Sequence, residues 1–155
     1  MMRIAISEWF EAFAAEKQIA FYEGVIDKIA DAKPAYPCLW LAPPQMVMNS
    51  TDSSMMYNIV LYILSNDKIL KTGETGGIAA IERGKAEIWE NMERMALDIK
   101  DRLRDKTGDI YVESWDFKPF DFPLTNAREF GLRCEYKLLT YECDTTEYPI
   151  FRRVD

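Results

Sequence analysis

The chain has no histidine in its 155 residues. That removes the commonest general base, the commonest metal ligand and every Ser–His or Cys–His nucleophile pair, and leaves carboxylate or lysine chemistry. Cysteine is scarce as well. Cys38, Cys134 and Cys143 are odd in number, far apart and without a C-x-x-C, so neither a disulfide framework nor a zinc site is expected. Reduced thiols in a cytoplasmic setting follow, with Cys134, at an apolar strand position, expected buried and inert. Positive charge is in deficit: 19 Lys and Arg stand against 26 Asp and Glu, for a net charge of −7. This argues against nucleic acid or anionic membrane binding through bulk charge. Arg152-Arg153 is the single Arg-Arg pair. Runs of 18 apolar residues are missing, so no membrane span is expected. Glu8 and Glu11 interrupt the apolar region that a signal peptide over Met1 to Ala14 would need.

Phosphate-binding motifs are absent too. Gly84-Lys85 is followed by Ala86, with Gly77 seven positions earlier; both the spacing and the last residue fail a P-loop, and no G-x-G-x-x-G occurs. The Gly-rich stretch before residue 78 therefore reads as a flexible loop opening a helix, although helix N-termini do bind anions. Acidic pairs such as Asp98 with Asp101 and Glu90 with Glu93 lie among basic residues, which marks a solvated, salt-laced face rather than a metal site. No EF-hand pattern appears. No cofactor or metal is expected.

What is present suits one globular domain over residues 1–155. The chain is 48% hydrophobic, 29% charged and 13% aromatic, enough for a core of its own. Residues 144–155 read as an extended C-terminal tail. Ser7 to about Lys17 has helical spacing through Trp9, Phe10 and Phe13, with Ser7 as a cap. Residues 18–32 fit either a helix through Tyr22, Val25, Ile26 and Ile29 or a short strand through Ile19, Phe21 and Glu23. Pro34, Pro37, Pro43 and Pro44 bracket Cys38–Leu41, which predicts a short strand near a sheet edge. Gln45 to Asn49 extends it or turns back, and Asn49 to Ser54 is a polar turn.

Met55 to Leu64 is apolar on both faces and predicts a central strand covered on both sides, the second cover being its own helix or a neighbouring subunit. Ser65 to Gly77 is a polar loop. Residues 78–106 carry Ile81, Ile88, Met92, Met95, Ile99 and Leu103 at helical spacing, with Glu90, Arg94, Asp98 and Arg102 as an alternating ladder. Asp109 to Phe117 predicts a strand with Ile110 and Val112 on one face and Tyr111 and Trp115 on the other. Lys118 to Arg128 is a loop. Glu129 to Cys143 alternates cleanly and predicts a half-buried antiparallel strand with a charged outer face. The order implies an α+β fold: an antiparallel or mixed sheet with helices packed on one face.

Two features place large apolar residues where loops and tails are expected. One is the loop Pro119 to Leu124, with Phe120, Phe122 and Leu124; the other is the tail, with Tyr148, Ile150 and Phe151. Either they fold back onto their own core or they dock on a neighbouring subunit or partner, where aromatic side chains act as anchors.

The run Tyr36-Pro37-Cys38-Leu39-Trp40-Leu41-Ala42-Pro43-Pro44 resembles a stretch found in small tail proteins of phages and prophages. The strand Tyr57 to Leu64 follows, then a helix with Ile88-Trp89-Glu90-Asn91-Met92, and then Phe130-Gly131-Leu132 after Asn126. In order and spacing, residues 36–143 resemble the phage tail-completion or tail-terminator family of the head–tail junction. The resemblance implies a non-enzymatic structural protein of virion assembly, a homo-oligomer forming rings, commonly hexameric. Such a ring terminates a tail or joins it to a head–tail connector, and contacts its neighbours by sheet edges, loops and termini. Its implied partners are copies of itself and tail tube or connector proteins, with no specific nucleic acid binding. It would be assembled in the host cytoplasm and end in the virion. The alternative is a cytoplasmic α+β ligand-binding or enzymatic domain, with Trp40, Tyr57, Tyr62 and Trp115 lining a pocket.

Overall fold

A computed structural model describes residues 2–48, 55–66, 77–103, 110–121, 124–125 and 128–140. The fold is α+β. A mixed sheet of six strands runs in the order β1-β2-β4-β6-β5, with β3 also paired to β4. The strands are β1 (Ala20–Glu23), β2 (Cys38–Leu41), β3 (Gln45–Met48), β4 (Met55–Asn66), β5 (Ile110–Phe120) and β6 (Glu129–Thr140); the helices are α1 (Met2–Glu16), α2 (Ile29–Ala32) and α3 (Gly77–Arg102). A 3-10 turn over Ile26–Lys28 leads into α2.

The two long helices lie on one face. From α1, Ile6, Phe10, Phe13 and Ala14 meet Leu39, Leu41, Ile59, Leu61 and Ile63 of the sheet; from α3, Met92, Ala96 and Ile99 join Leu132, Cys134, Tyr136 and Leu138. The two helices are seamed at their C-terminal ends. Arg102 bridges Asp98 at 2.9 Å and Glu16 at 2.7 Å. Tyr136 donates a 2.7 Å hydrogen bond from beneath α3 to the Ala96 carbonyl. The expected start of α1 at Ser7 is corrected: the helix begins at Met2, and Ser7 sits inside it, donating to Glu23 at 2.7 Å rather than capping.

Residues 18–32 satisfy both readings in turn. Phe21 and its neighbours form β1, parallel to β2; Gly24 then breaks the strand at φ +133°, a conformation that side chains disfavour, and helical turns follow. The Gly24 carbonyl accepts from Trp40 Nε1 at 2.9 Å. Cys38–Leu41 lies near an edge, as expected, one strand in from it. β2 is fully buried, between β1 and β4, because the prolines stand outside the strand and remove no donor from it. β3 continues along the same flank of β4: Leu41 pairs with Leu61, Ala42 N–H reaches Val60 O, and Gln45 pairs with Asn58.

β4 is central, but its second face is covered only in part. The segment between β1 and β2 packs Ile26, Ile29 and Tyr36 onto Cys38, Trp40 and Leu64, with Tyr22, Tyr62 and Phe120 at the margin. Beyond that cover Met56, Asn58 and Val60 are half-buried. Ser65 and Asn66, expected in a loop, complete β4 and are buried. The polar turn over 49–54, residues 67–76 of the loop expected from Ser65 to Gly77, and the helix end near Gly108 lie outside the described residues.

Candidate interaction surface

β5 is the outermost strand, and its outer edge pairs with nothing among the described residues. Its side-chain pattern differs from the expected one. The register shifts between Val112 and Ser114, so Val112 faces Leu138 and Trp115 faces Tyr136. One extra residue at the bulge puts both on the helix-covered side. Trp115 thus reaches the margin of α3, where Lys100 Nζ lies 4.4 Å from its ring centroid. It remains 48% exposed. Together Lys100, Asp101, Leu103, Tyr111, Val112 and Trp115 line a shallow groove of about 200 Å³.

At its far end β5 incorporates Pro119 and Phe120, expected in a loop. Proline is tolerated there because an edge strand needs no outward donor. Phe120 turns onto its own core, its ring edge-on to Tyr62 at 6.2 Å. The turn that follows is pinned twice. Lys85 of α3, nearly buried, binds Asp121 at 2.9 Å and lies over the Phe130 ring. Glu129, 1% exposed, accepts from the backbone N–H groups of Leu124 and Thr125 at 2.8 Å each, from the Tyr36 hydroxyl at 2.8 Å, and from the Thr125 hydroxyl. Burial pushes the Glu129 carboxyl up, but the hydrogen bonds from Thr125 and Tyr36 outweigh it and hold the group below the usual carboxylate value. The same buried charge, after burial itself, raises the Tyr36 hydroxyl and pushes the Cys38 thiol up to about 12. The effect is to fix a turn whose Leu124 side chain stands exposed.

Of the apolar residues singled out in the sequence, Phe120 is half-buried in its own chain and Leu124 is exposed, while Phe122, Tyr148, Ile150 and Phe151 lie outside the described residues. The four aromatics considered as a pocket lining are not brought together. Tyr57 is buried under the helices, Trp40 and Tyr62 belong to the opposite face, and Trp115 sits at the β5 rim. Sequence reasoning missed Glu129, which it took only as the first residue of a strand; a lone acid at a strand start, four residues beyond Thr125, gives little warning of a carboxylate bonded to backbone. It also missed the Lys85–Asp121 pair. Cys134 is buried as expected, and its burial raises its thiol.

The remaining surface is ordinary. Arg133 with Glu135, and Lys118 with Asp116, form ion pairs across the open sheet face. Among the described residues no group of three or more Cys, Asp or Glu side chains is placed to hold a metal ion, and no helix is long and apolar enough to cross a membrane. Set against known proteins, the chain matches no family model, no curated protein and no solved structure.

Proposed function

We propose that the chain is a non-enzymatic virion assembly protein, a ring-forming subunit that terminates or joins a phage tail at the head–tail junction. The order of the motifs over residues 36–143 supports this reading, and one observation on the surface carries it further. The exposed large apolar residues among those described are Val25, Met46, Leu97, Tyr111, Trp115 and Leu124. All but Leu97 lie at the two lateral rims of a single sheet: Val25 and Met46 beside β1 and on β3, Tyr111, Trp115 and Leu124 on or beside β5. A closed ring is built from a heterologous contact, in which each subunit offers two different patches. Opposite rims of unlike composition supply such a pair.

Chain direction is compatible as well. β3 is antiparallel to β4, β4 to β6 and β6 to β5, so β5 of one copy meets β3 of the next antiparallel when the sheet is continued from copy to copy. Leu124, held out by the Glu129 turn, falls at the same rim as β5. In this reading the partners are further copies of the chain and tail tube or connector proteins, the product resides in the virion, and no cofactor is required.

The test is solution mass by light scattering over a range of concentrations, with negative-stain images of the peak, alone and with a tail tube protein. Rings, or a monomer that rings on addition of the tube protein, are the expected result. A chain that never associates under either condition, and whose melting temperature rises with a small ligand, refutes the assembly role in favour of a ligand-binding or enzymatic domain.

A further inference from the structure

The ion pairs of the open sheet face are ordinary one by one; their order is not. Directly opposed residues of paired antiparallel strands share a face, so the register sets this face out in rows. Lys118 stands opposite Arg133, and Asp116 opposite Glu135. The face thus carries a positive row beside a negative one, and residues two apart on a strand set the rows about 7 Å apart. Tyr62 and Val60 of β4 continue the two rows without adding charge. The charged side chains all reach solvent, with exposures from 27% to 70%.

Like charges directly opposite one another weaken strand pairing, and the sheet bears two such pairs in succession. They are offset by bonds along each strand, Arg133 to Glu135 at 3.2 Å and Lys118 to Asp116 at 3.4 Å. Interchanging Asp116 and Lys118 would keep the along-strand contact and would oppose unlike charges in both rows. The order present is therefore not the one that best serves the sheet itself. It gathers the two signs into bands, which suits a surface that meets the charges of another molecule.

Two bands of opposite sign are complementary to themselves. A two-fold axis lying between the rows and parallel to them lays the positive row of one copy over the negative row of a second, and the reverse, as an isologous contact requires. An axis parallel to the strands would instead lay each row on its like. We propose that the open sheet face pairs two copies of this chain about the first axis, with Lys118 facing Asp116 and Arg133 facing Glu135 of the second copy. The contact uses the face and not the rims, so it is separate from the assembly reading and does not require it.

Sedimentation equilibrium at low and at high salt reads the contact. Wild type is compared with Lys118→Glu/Arg133→Glu, in which both rows are negative, and with Asp116→Lys/Glu135→Lys, in which both are positive. Each is checked for folding by circular dichroism. Wild type should self-associate at low salt and less so at high salt, because exposed charges are screened. Each reversal should weaken self-association by about tenfold or more, and an equimolar mixture of the two should restore it. Lys118→Gln/Arg133→Gln, which removes one row without adding repulsion, serves where a reversal fails to fold, and should weaken association in the same direction. A wild type that stays monomeric at low salt overturns the proposal, as do reversed chains that remain apart when mixed. Association indifferent to both salt and charge reversal is made elsewhere; it overturns this contact and leaves the assembly role standing. Salt-sensitive pairing that the mixture restores, in a chain that forms no rings, upholds the contact without that role.

Discussion

Replacing Glu129 by alanine should destabilise the fold by about 3 kcal/mol. The carboxylate accepts from four donors, Tyr36, the Leu124 and Thr125 amides and the Thr125 hydroxyl, with no cationic side chain bonded to it among the described residues. A hydrogen bond to a charged group contributes about 1.5–3 kcal/mol, and a buried donor left unmade costs about 1–3. The four do not add, because they share one acceptor group and the turn can relax. Leu124 is exposed and Thr125 half-buried, so their amides regain water; the Tyr36 hydroxyl, packed against the second core cluster, is less able to do so. Weighing these gives about 3 kcal/mol, which in a chain of this size lowers Tm by about 6–12 °C.

Urea denaturation of wild type, Glu129→Ala, Tyr36→Phe and the double variant completes a cycle. Tyr36→Phe alone should cost about 1–2 kcal/mol, with a coupling of similar size, since one charge-assisted bond is removed in either variant. A Glu129→Ala loss under about 0.5 kcal/mol, the level of an ordinary surface change, refutes the claim that this carboxylate pins the turn. The pH dependence has a fixed sign. The folded-state carboxyl lies below its unfolded value, so its contribution is fully present above the unfolded value and is lost as pH falls through the folded one. Wild type should therefore lose more stability on acidification than Glu129→Gln does.

Three further outcomes follow from the packing. Gly131→Ala would drive a methyl into the Ile63 carbonyl of the paired strand; since backbone cannot step aside as a side chain can, a loss of more than about 2 kcal/mol in urea melts is expected. Tyr136→Phe removes the bond to the Ala96 carbonyl while keeping the ring, and should cost about 1 kcal/mol by the same assay. A thiol reagent at neutral pH should leave Cys38 and Cys134 unlabelled in the native chain and label both in urea, as burial and the raised Cys38 thiol require, which mass mapping of peptides would read.

The elements visible in the sequence are those whose packing is one-sided and regular. β6 shows its alternation because Phe130, Leu132, Cys134, Tyr136 and Leu138 all face the helices and are buried, while Arg133, Glu135 and Lys137 meet solvent on the other face. α3 shows its stripe for the same reason: Met92, Ile99 and Leu103 are buried where the 3.6-residue period places them. The prolines mark β2 as close to an edge, and it is the second strand of the sheet; that β1 pairs outside it was hidden, since Pro37 and Pro43 flank the strand and leave its donors intact. Which part of residues 18–32 is strand depends on Gly24 and on pairing with β2, eighteen positions further along the chain, and no local pattern encodes that.

The candidate surface was the least legible part, and the β5 bulge explains why. Strict alternation places Tyr111 and Trp115 together on one face, since they are an even number of residues apart. Inserting one residue between Val112 and Ser114 reverses the parity of everything that follows. Trp115 moves to the side of Val112 and Phe117, and Tyr111 stays on the other. The groove exists only because of that reversal: without it the indole would stand on the open sheet face, on the side of Arg133, Glu135 and Lys137, and the end of α3 would have no aromatic beside it. A deletion that removes the extra residue, Glu113, therefore leaves a regular ladder in which Ser114 still opposes Lys137 and Trp115 still opposes Tyr136. The accessible tryptophan should then keep its cation–π partner Lys100, and the Glu129 turn at the far end of the hairpin should keep its bonds. An indole environment changed by that deletion, read from the emission of a variant retaining Trp115 alone, would mean that Trp115 does not owe its place to pairing with Tyr136.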